Sequence, residues 1–384
     1  MDTQPLYDLA PIARLMLLGV VLALGPMAWV WLRSRQAEPA QRLRLLTLVT
    51  LFLTFDLVLF GAFTRLTDSG LGCPDWPGCY GSASPIGASA SIAAAQEAMP
   101  TGPVTFPKAW IEMIHRYLAT AVGVLILVLA ITSTLARRQL PMSLWWPWVT
   151  LIWVCVQGAF GALTVTMKLF PAIVTLHLLG GLGLLALLRA QSVAYAHALP
   201  GAPGPVDVPS GLRWALLAVF ALLWLQVALG GWVSTNYAVL ACRDFPMCQG
   251  SWWPVMDFRE GFTLWRELGQ GRSGDSIPFA ALTAIHYVHR LAAYVVLAAL
   301  VWLAWRLWTY AGLRAQARGV LLFAAWQLLT GLSNVVLEWP LLAAVAHTGG
   351  AAALVVLLTG LLSGTRSESR SAVRSNPAML HATR

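Results

Sequence analysis

The sequence predicts an all-α integral membrane protein made of two tandem four-helix repeats and one extra N-terminal span. Three observations predict this fold: the apolar composition, nine long apolar segments and an internal repeat. Of the 384 residues, 58% are hydrophobic and 11% are charged, and the mean hydropathy is +0.69. A soluble domain does not need this much apolar sequence, so the expected solvent is the bilayer.

The net charge of +9 would favour a nucleic-acid partner in a soluble protein. In this sequence the basic residues lie mostly in short connections between apolar segments, where membrane topology accounts for them. Nineteen Trp residues are typical of a protein with two lipid–water interfaces to anchor. The composition therefore predicts contact with membrane lipid and no nucleic-acid partner.

Nine segments have roughly the 20 residues that a membrane-spanning helix requires. They cover residues 12–32, 45–64, 110–135, 146–167, 171–189, 212–234, 281–305, 319–336 and 341–362. Arg residues concentrate in alternate connections, which assigns those connections to the cytoplasm. The other side receives the N-terminus and two long loops, at about 65–109 and 235–280.

The strongest internal similarity joins the two long loops. Residues 73–81 read CPDWPGCYG and residues 242–250 read CRDFPMCQG, with five identities at an offset of 242 − 73 = 169. Further pairs keep an offset of 169 or 170: Gly61 with Gly230, Gln157 with Gln327, Gly161 with Gly331, and His177 with His347. Because each repeat contains an even number of spans, both copies should share one orientation, related by a pseudo-two-fold axis along the membrane normal.

This repeat divides the chain into five expected parts. They are an extra span with its linker (1–44), the first four-helix repeat (45–190), a cytoplasmic linker (191–211), the second repeat (212–362) and a tail (363–384). The tail is rich in Ser and Arg, so we expect it to be cytoplasmic and disordered.

Each repeat contains two histidines near the outer ends of separate spans: His115 and His177, then His289 and His347. Facing imidazoles inside a four-helix bundle suit the axial positions of a haem iron, whereas a closed zinc site needs four ligands. A lone histidine in a span is more often a packing residue or a proton-relay member. Four histidines, duplicated and matched in depth, favour ligation of a cofactor because ionisable groups are costly in the membrane.

Two further polar residues share a helix face with these histidines. Glu112 and His286 stand three residues before His115 and His289, respectively. Glu112 could move protons near a metal-bound substrate, or could be an interfacial charge near a helix N-terminus; the spacing favours neither. The difference between the two repeats predicts that the two pockets have different jobs, with the chemistry in the first.

Three arginines lie near the predicted pocket rims. Arg116 and Arg290 directly follow histidines, and Arg65 ends the first repeated span. Each could reach a haem propionate or extend toward the lipid headgroups. Asp56 lies in the middle of a span, where it could be functional or bond a neighbouring helix. Cys155, alone in a span, is expected to be a small packing residue.

The remaining cysteines form two pairs six residues apart, Cys73 with Cys79 and Cys242 with Cys248. Two local disulfides on the oxidising side of the membrane are the simplest interpretation, each holding a loop over its pocket. A redox-active first pair and a shared four-thiolate zinc site are the alternatives.

In combination, these motifs resemble the haem A synthase family of bacteria and mitochondria. The resemblance covers about residues 45–362 and rests on the repeated four-helix unit, the paired histidines, the Glu112-x-x-His115-Arg116 cluster and the loop sequence GLGCPDWPGC at 70–79. It implies an oxidoreductase that converts the ring C8 methyl group of haem O to a formyl group, giving haem A for terminal oxidases.

The resemblance also implies roles for the histidines. His115 and His177 would hold the substrate haem O, with Glu112 close to the chemistry. His289 and His347 would ligate the iron of a haem b that relays electrons, and the cysteine pairs would be the outer-loop disulfides of the family. The extra N-terminal span and His286 depart from the family pattern.

The implied setting is the bacterial cytoplasmic (inner) membrane, with periplasmic cysteine-bearing loops and a cytoplasmic C-terminus. A haem O synthase and an electron donor are the implied partners. A di-haem cytochrome that only passes electrons, for example from quinol, would use four axial histidines equally well. A haem or ion transporter is less favoured, because the polar clusters lie nearer the outer face than the midplane.

Overall fold

The computed structural model describes residues 10–140, 143 and 145–367. Nine helices in this part are long and apolar enough to cross a membrane. They are α1 (Ala10–Arg33), α2 (Pro39–Leu66), α4 (Phe106–Leu135), α5 (Trp145–Thr166), α6 (Pro171–His197), α7 (Ser210–Thr235), α9 (Phe279–Trp308), α10 (Arg314–Val336) and α11 (Leu341–Gly364). Each overlaps one predicted segment, which confirms an all-α, multi-pass membrane protein.

Local sequence explains where several helices begin. Proline occupies the first turn of α2, α4 and α6, where its missing N–H costs no helical hydrogen bond. Thr105 caps α4 by accepting a hydrogen bond from the backbone N–H of Lys108. The α5–α6 and α10–α11 turns each place two consecutive non-glycine residues at positive φ, Lys168 with Leu169 and Glu338 with Trp339. Positive φ is uncommon for such residues and fits a tight reversal.

The long loops contain two short helices, α3 (Ser89–Ala98) and α8 (Phe258–Gly261). On the opposite side of the protein, β1 (Val206–Val208) pairs in parallel with β2 (Thr365–Ser367). The Arg213 guanidinium donates to the backbone of Leu362 and Thr365 and so holds the end of α11.

The structure corrects three boundaries of the sequence prediction. The expected disordered tail, 363–384, is ordered at 363–367, because strand pairing and Arg213 fix it; residues 368–384 lie outside the described part. The predicted linker 191–211 is shorter, since α6 continues to His197. The first repeat, predicted from residue 45, begins with a helix at Pro39.

The spans pack as two groups of four. In the first half (α2, α4, α5, α6), α2 and α5 each contact both α4 and α6; in the second half, α7 and α10 each contact both α9 and α11. The halves meet through α6 with α11, α2 with α11, and α6 with α7, while α1 packs outside the first half against α4. These pairings are those that the predicted pseudo-two-fold axis would generate, and the axis itself stays a prediction.

One buried apolar cluster joins the two halves near the helix ends remote from the cysteine loops. It includes Leu43, Leu129, Leu188, Leu216, Leu303 and Leu358. The four candidate histidines lie outside this cluster, toward the other ends of their helices. The packing therefore fills one side of the molecule with aliphatic side chains and leaves the histidine pairs nearer the other.

Candidate haem sites

In the first half, His115 on α4 and His177 on α6 are close enough to interact electrostatically. Both side chains are partly exposed, and each packs against a glycine of a neighbouring helix. A methyl group added at Gly61 would lie 3.0 Å from Nε2 of His115, and one at Gly161 would lie 3.5 Å from Cε1 of His177. Glycine at these positions leaves space for the histidine rings, which a larger side chain would crowd.

The second half has the same arrangement. His289 on α9 and His347 on α11 interact electrostatically and are also partly exposed. A methyl group at Gly230 would lie 3.0 Å from Cε1 of His289, and one at Gly331 would lie 3.3 Å from Cε1 of His347. The glycine–histidine pairs occupy the repeat-related positions that the sequence offsets predict.

The residues of each pair fit the axial positions of a haem iron. Two imidazoles approach from separate helices, inside a four-helix arrangement of the kind that commonly holds such cofactors. Among the described residues, no group of three or more His, Cys, Asp or Glu is arranged to hold a metal ion. A haem supplies four equatorial ligands itself and needs only the axial pair from the protein.

The hydrogen bonds of the histidines differ between the halves. Nδ1 of His289 lies 3.1 Å from the side-chain nitrogen of Gln226, and Nδ1 of His347 lies 2.9 Å from Oγ1 of Thr330. Within the described part of the first half, Nδ1 of His177 is buried without a partner, and His115 makes no side-chain hydrogen bond. Sequence reasoning missed Gln226 and Thr330.

Glu112 is buried rather than interfacial, with 4% of its surface exposed. One carboxylate oxygen accepts a 2.7 Å hydrogen bond from the backbone N–H of Cys73, and the other is 2.5 Å from Nη2 of Arg116. The interpretation of Glu112 as an interfacial charge is therefore wrong. The carboxylate ties α4 to the outer loop one helical turn above His115.

Arg116 and Arg290 have equivalent positions below the two disulfide loops. Arg116 donates to the backbone carbonyls of Asp75, Pro77 and Gly78. Arg290 donates to the carbonyls of Asp244, Met247 and Cys242 at 2.8–3.1 Å. Each arginine satisfies loop carbonyls that would otherwise be buried without donors, so these side chains hold the loops in place.

Arg65 joins the two halves. Its guanidinium donates to the carbonyl of Ser234 at 2.6 Å and lies 4.0 Å above the Tyr237 ring. It also pairs with Asp68, which accepts a hydrogen bond from the Tyr237 hydroxyl. Arg65 and Ser234 are 169 residues apart, as are Asp68 and Tyr237, so this cluster links repeat-related positions.

Both cysteine pairs form disulfides, as the spacing predicts. In the first disulfide loop (73–81), the Asp75 carboxylate accepts from two backbone N–H groups; in the second (242–250), Asp244 does the same with Gly250 and Gln249. The hydrogen bond from Gly250, followed by that from Gln249, holds the pKa of the Asp244 carboxyl below its ordinary value.

Three other predicted residues have the following environments. His286 is buried, with its ring against the backbone of Ala238, in the position that corresponds to Glu112 in the first half. Asp56 is exposed and has no hydrogen bond within the described residues, so it does not bond a neighbouring helix. Cys155 is exposed rather than packed.

Fold and site together define a multi-pass helical membrane protein with one pair of interacting histidines in each half. Comparisons with known proteins identify the family. Residues 44–359 match the COX15-CtaA model, described as a cytochrome oxidase assembly protein. The chain belongs to this family.

Individual relatives are similar along most of their length. A protein named heme A synthase from Shewanella oneidensis is 37% identical over 315 residues, or 81% of this chain and 92% of the relative. Heme A synthases from Allorhizobium ampelinum and Halalkalibacterium halodurans are 28% and 27% identical, covering 86% and 76% of this chain and 92% and 86% of the relatives.

Proposed function

We propose that this protein is a haem A synthase that oxidises the ring C8 methyl group of haem O to a formyl group. The observation that carries the proposal is one pair of interacting histidines in each half and, among the described residues, a buried carboxylate one helical turn from His115 of the first pair. Membership of the family and the names of the relatives support the same activity.

In this proposal the first half binds the substrate. His115 and His177 hold haem O by its iron and fix the orientation of the ring within the bundle. A bound haem iron supplies the redox chemistry that oxidation of an unactivated methyl group requires. Arg116 and Glu112 hold the first disulfide loop over the pocket and so limit the access of water. Glu112, one helical turn from His115, is the proposed proton-transfer group.

In the second half, His289 and His347 would hold the iron of a resident haem b. A haem bound there would supply a relay for electrons between a donor and the substrate pocket. Arg65, Arg116, Arg290 and His286 are the candidate rim residues that would meet the haem propionates.

We place the protein in a bacterial cytoplasmic membrane. The disulfide loops face the periplasm, where disulfides persist, and the C-terminus faces the cytoplasm, as the Arg-rich connections on that side favour. A haem O synthase supplies the substrate, and a separate redox partner supplies or removes electrons.

The test is haem extraction and chromatography from membranes of cells that express this chain together with a haem O synthase. Haem A and its hydroxylated precursor are expected, and cells without the chain provide the control. Abundant haem B with unconverted haem O, in folded protein given an electron donor, would favour a di-haem cytochrome instead. That alternative is supported by the presence of an interacting histidine pair in both halves, but it gives no role to Glu112 in one half alone.

A further inference from the structure

The two histidine pairs differ in the atoms that contact their Nδ1 nitrogens. We propose that Gln226 and Thr330 are positioning residues that make the second pocket retain its haem. The corresponding positions of the first half, Leu57 and Phe160, lack such groups, which leaves the first pocket able to exchange its haem. This inference rests on the proposed function only in taking haem as the ligand of both pairs.

Thr330 fixes the tautomer of His347. The threonine hydroxyl donates to the carbonyl of Trp326 at 2.7 Å, so its proton is already in use. Its oxygen, 2.9 Å from Nδ1 of His347, is then free to accept a hydrogen bond from that nitrogen. With the proton on Nδ1, the lone pair of Nε2 is available to a metal, because a neutral imidazole has one donor and one acceptor nitrogen.

The side-chain amide of Gln226 can form a hydrogen bond with Nδ1 of His289 in either tautomer. Its amide nitrogen lies 3.1 Å from Nδ1 and also donates to the carbonyl of His289 at 3.2 Å. Its oxygen is buried without a hydrogen-bond partner among the described residues. A half-turn of the amide brings that oxygen to Nδ1, so that it accepts the proton which Nδ1 carries when Nε2 binds a metal.

The repeat register identifies the matching positions in the first half. Since Gly61 corresponds to Gly230, the counterpart of Gln226 is Leu57, at 226 − 169. Since Gly161 corresponds to Gly331, the counterpart of Thr330 is Phe160, at 330 − 170. Neither leucine nor phenylalanine can accept a hydrogen bond from an imidazole.

The contacts of the first-half histidines agree with this register. Nδ1 of His177 is buried without a partner within the described chain. The His115 ring instead stacks on Phe60, with centroids 6.3 Å apart and the planes tilted by 10°. Stacking orients a ring but leaves its Nδ1 proton unshared, so the first pair gains no basicity from a neighbour.

A hydrogen bond to Nδ1 fixes the orientation of a ligating imidazole and makes it a stronger donor to the metal. Loss of such a partner typically lowers metal affinity by about 10–100-fold. Retention suits a resident electron relay, whereas a substrate pocket must release its product. The difference between the halves therefore matches the different jobs of the two pockets.

The test compares haem release from full-length variants purified in detergent. Excess apomyoglobin captures released haem b, and the absorbance change gives the rate. Thr330→Val and Gln226→Leu are expected to release haem b roughly 10-fold faster or more than the parent. Thr330→Ser keeps the hydroxyl and should behave like the parent. The reduced-minus-oxidised spectrum and midpoint potential should shift in Thr330→Val but not in Thr330→Ser.

A reciprocal variant tests the first half. Leu57→Gln combined with Phe160→Thr should slow the release of bound haem O. Equal haem b release rates for Thr330→Val and Thr330→Ser, with unchanged spectra, would overturn the inference. If the parent makes no haem A but Thr330→Val still loses haem b faster, the proposed function fails while the inference stands, so the two failures are distinguishable.

Discussion

The two halves share one scaffold but surround their histidines with different polar groups. Both halves seat each histidine against a glycine, and both place an arginine under a disulfide loop whose aspartate accepts two backbone N–H groups. They differ at Glu112, which corresponds to His286, and at Gln226 and Thr330, which correspond to Leu57 and Phe160. Two similar histidine pairs therefore lie in different polar surroundings, and this difference is the basis for the different tasks proposed for them.

The anchoring of the loops shows this difference most clearly. In the first half a buried carboxylate and a buried arginine form an ion pair that also binds the Cys73 backbone. In the second half Arg290 binds loop carbonyls without an acidic partner inside the helix, and a buried histidine takes the place of Glu112. The first loop thus depends on a charge that the second loop lacks.

The largest expected effect comes from replacing Glu112 in the first half, and its counterpart His286 in the second half, with glutamine. Glu112→Gln leaves the Arg116 charge buried without its partner, and breaking a buried ion pair typically costs about 3–5 kcal/mol. His286→Gln replaces one neutral group by another and should cost clearly less. The free energy of unfolding in mixed micelles measures both variants.

Haem analysis of the same two variants separates stability from function. Glu112→Gln should retain haem b and lose most formation of formyl haem. Similar destabilisation by the two glutamine variants would contradict the account of the first loop, and normal conversion of haem O would restrict Glu112 to a structural role.

The glycines beside the histidines provide an effect of intermediate size. Gly61→Ala and Gly230→Ala put a methyl group 3.0 Å from a histidine ring, and overpacking of this kind typically costs about 1–3 kcal/mol. Gly230→Ala should perturb the haem b spectrum, whereas Gly61→Ala should leave that spectrum intact and weaken the binding of haem O.

Gly161→Ala is the matched control for crowding, because its methyl group would lie at an ordinary contact distance of 3.5 Å from His177. It should resemble the parent protein in haem content and absorbance. If all three alanine variants had the same effect, the close approach of the histidine ring to the glycine would not explain the change in haem binding.

The smallest expected effect is a pH dependence of the second disulfide loop. The folded-state pKa of Asp244 is depressed, so its contribution to loop stability is present above the unfolded value, near 3.8, and is lost as the pH falls through the folded value. Amide hydrogen exchange of residues 242–250, corrected for intrinsic rates, should accelerate modestly below about pH 4. Asp244→Asn should remove this dependence, and an unchanged pH profile in that variant would exclude Asp244 as its source.

Hydropathy and spacing predicted much of the fold. The nine spans follow from apolar runs of helical length, and both disulfides follow from cysteines six residues apart in loops that read almost alike. The pairing of β1 with β2 was missed because it joins residues about 160 positions apart, and the tail lacks the apolar pattern of a strand.

The site was predicted less completely. The histidines stand out because ionisable residues are rare in spans, whereas Gln226 and Thr330 are uncharged and not duplicated, so neither charge nor repetition marks them. The sequence signal that could have identified them is their position, four residues before Gly230 and one residue before Gly331, the glycines of the second repeat. The roles of Arg116 and Arg290 in holding loops depend on tertiary contacts that no local pattern encodes.

The most direct test of two pockets with different jobs is the haem content of protein purified from cells without haem O. The His289→Ala, His347→Ala double variant is expected to lose tightly bound haem b while remaining folded with both disulfides intact. The His115→Ala, His177→Ala double variant is expected to keep haem b at the parental ratio per chain. Its defect should appear only when haem O is supplied, as a loss of haem O binding and conversion. Equal loss of haem b from both double variants would contradict the separation of a resident haem from an exchanging substrate.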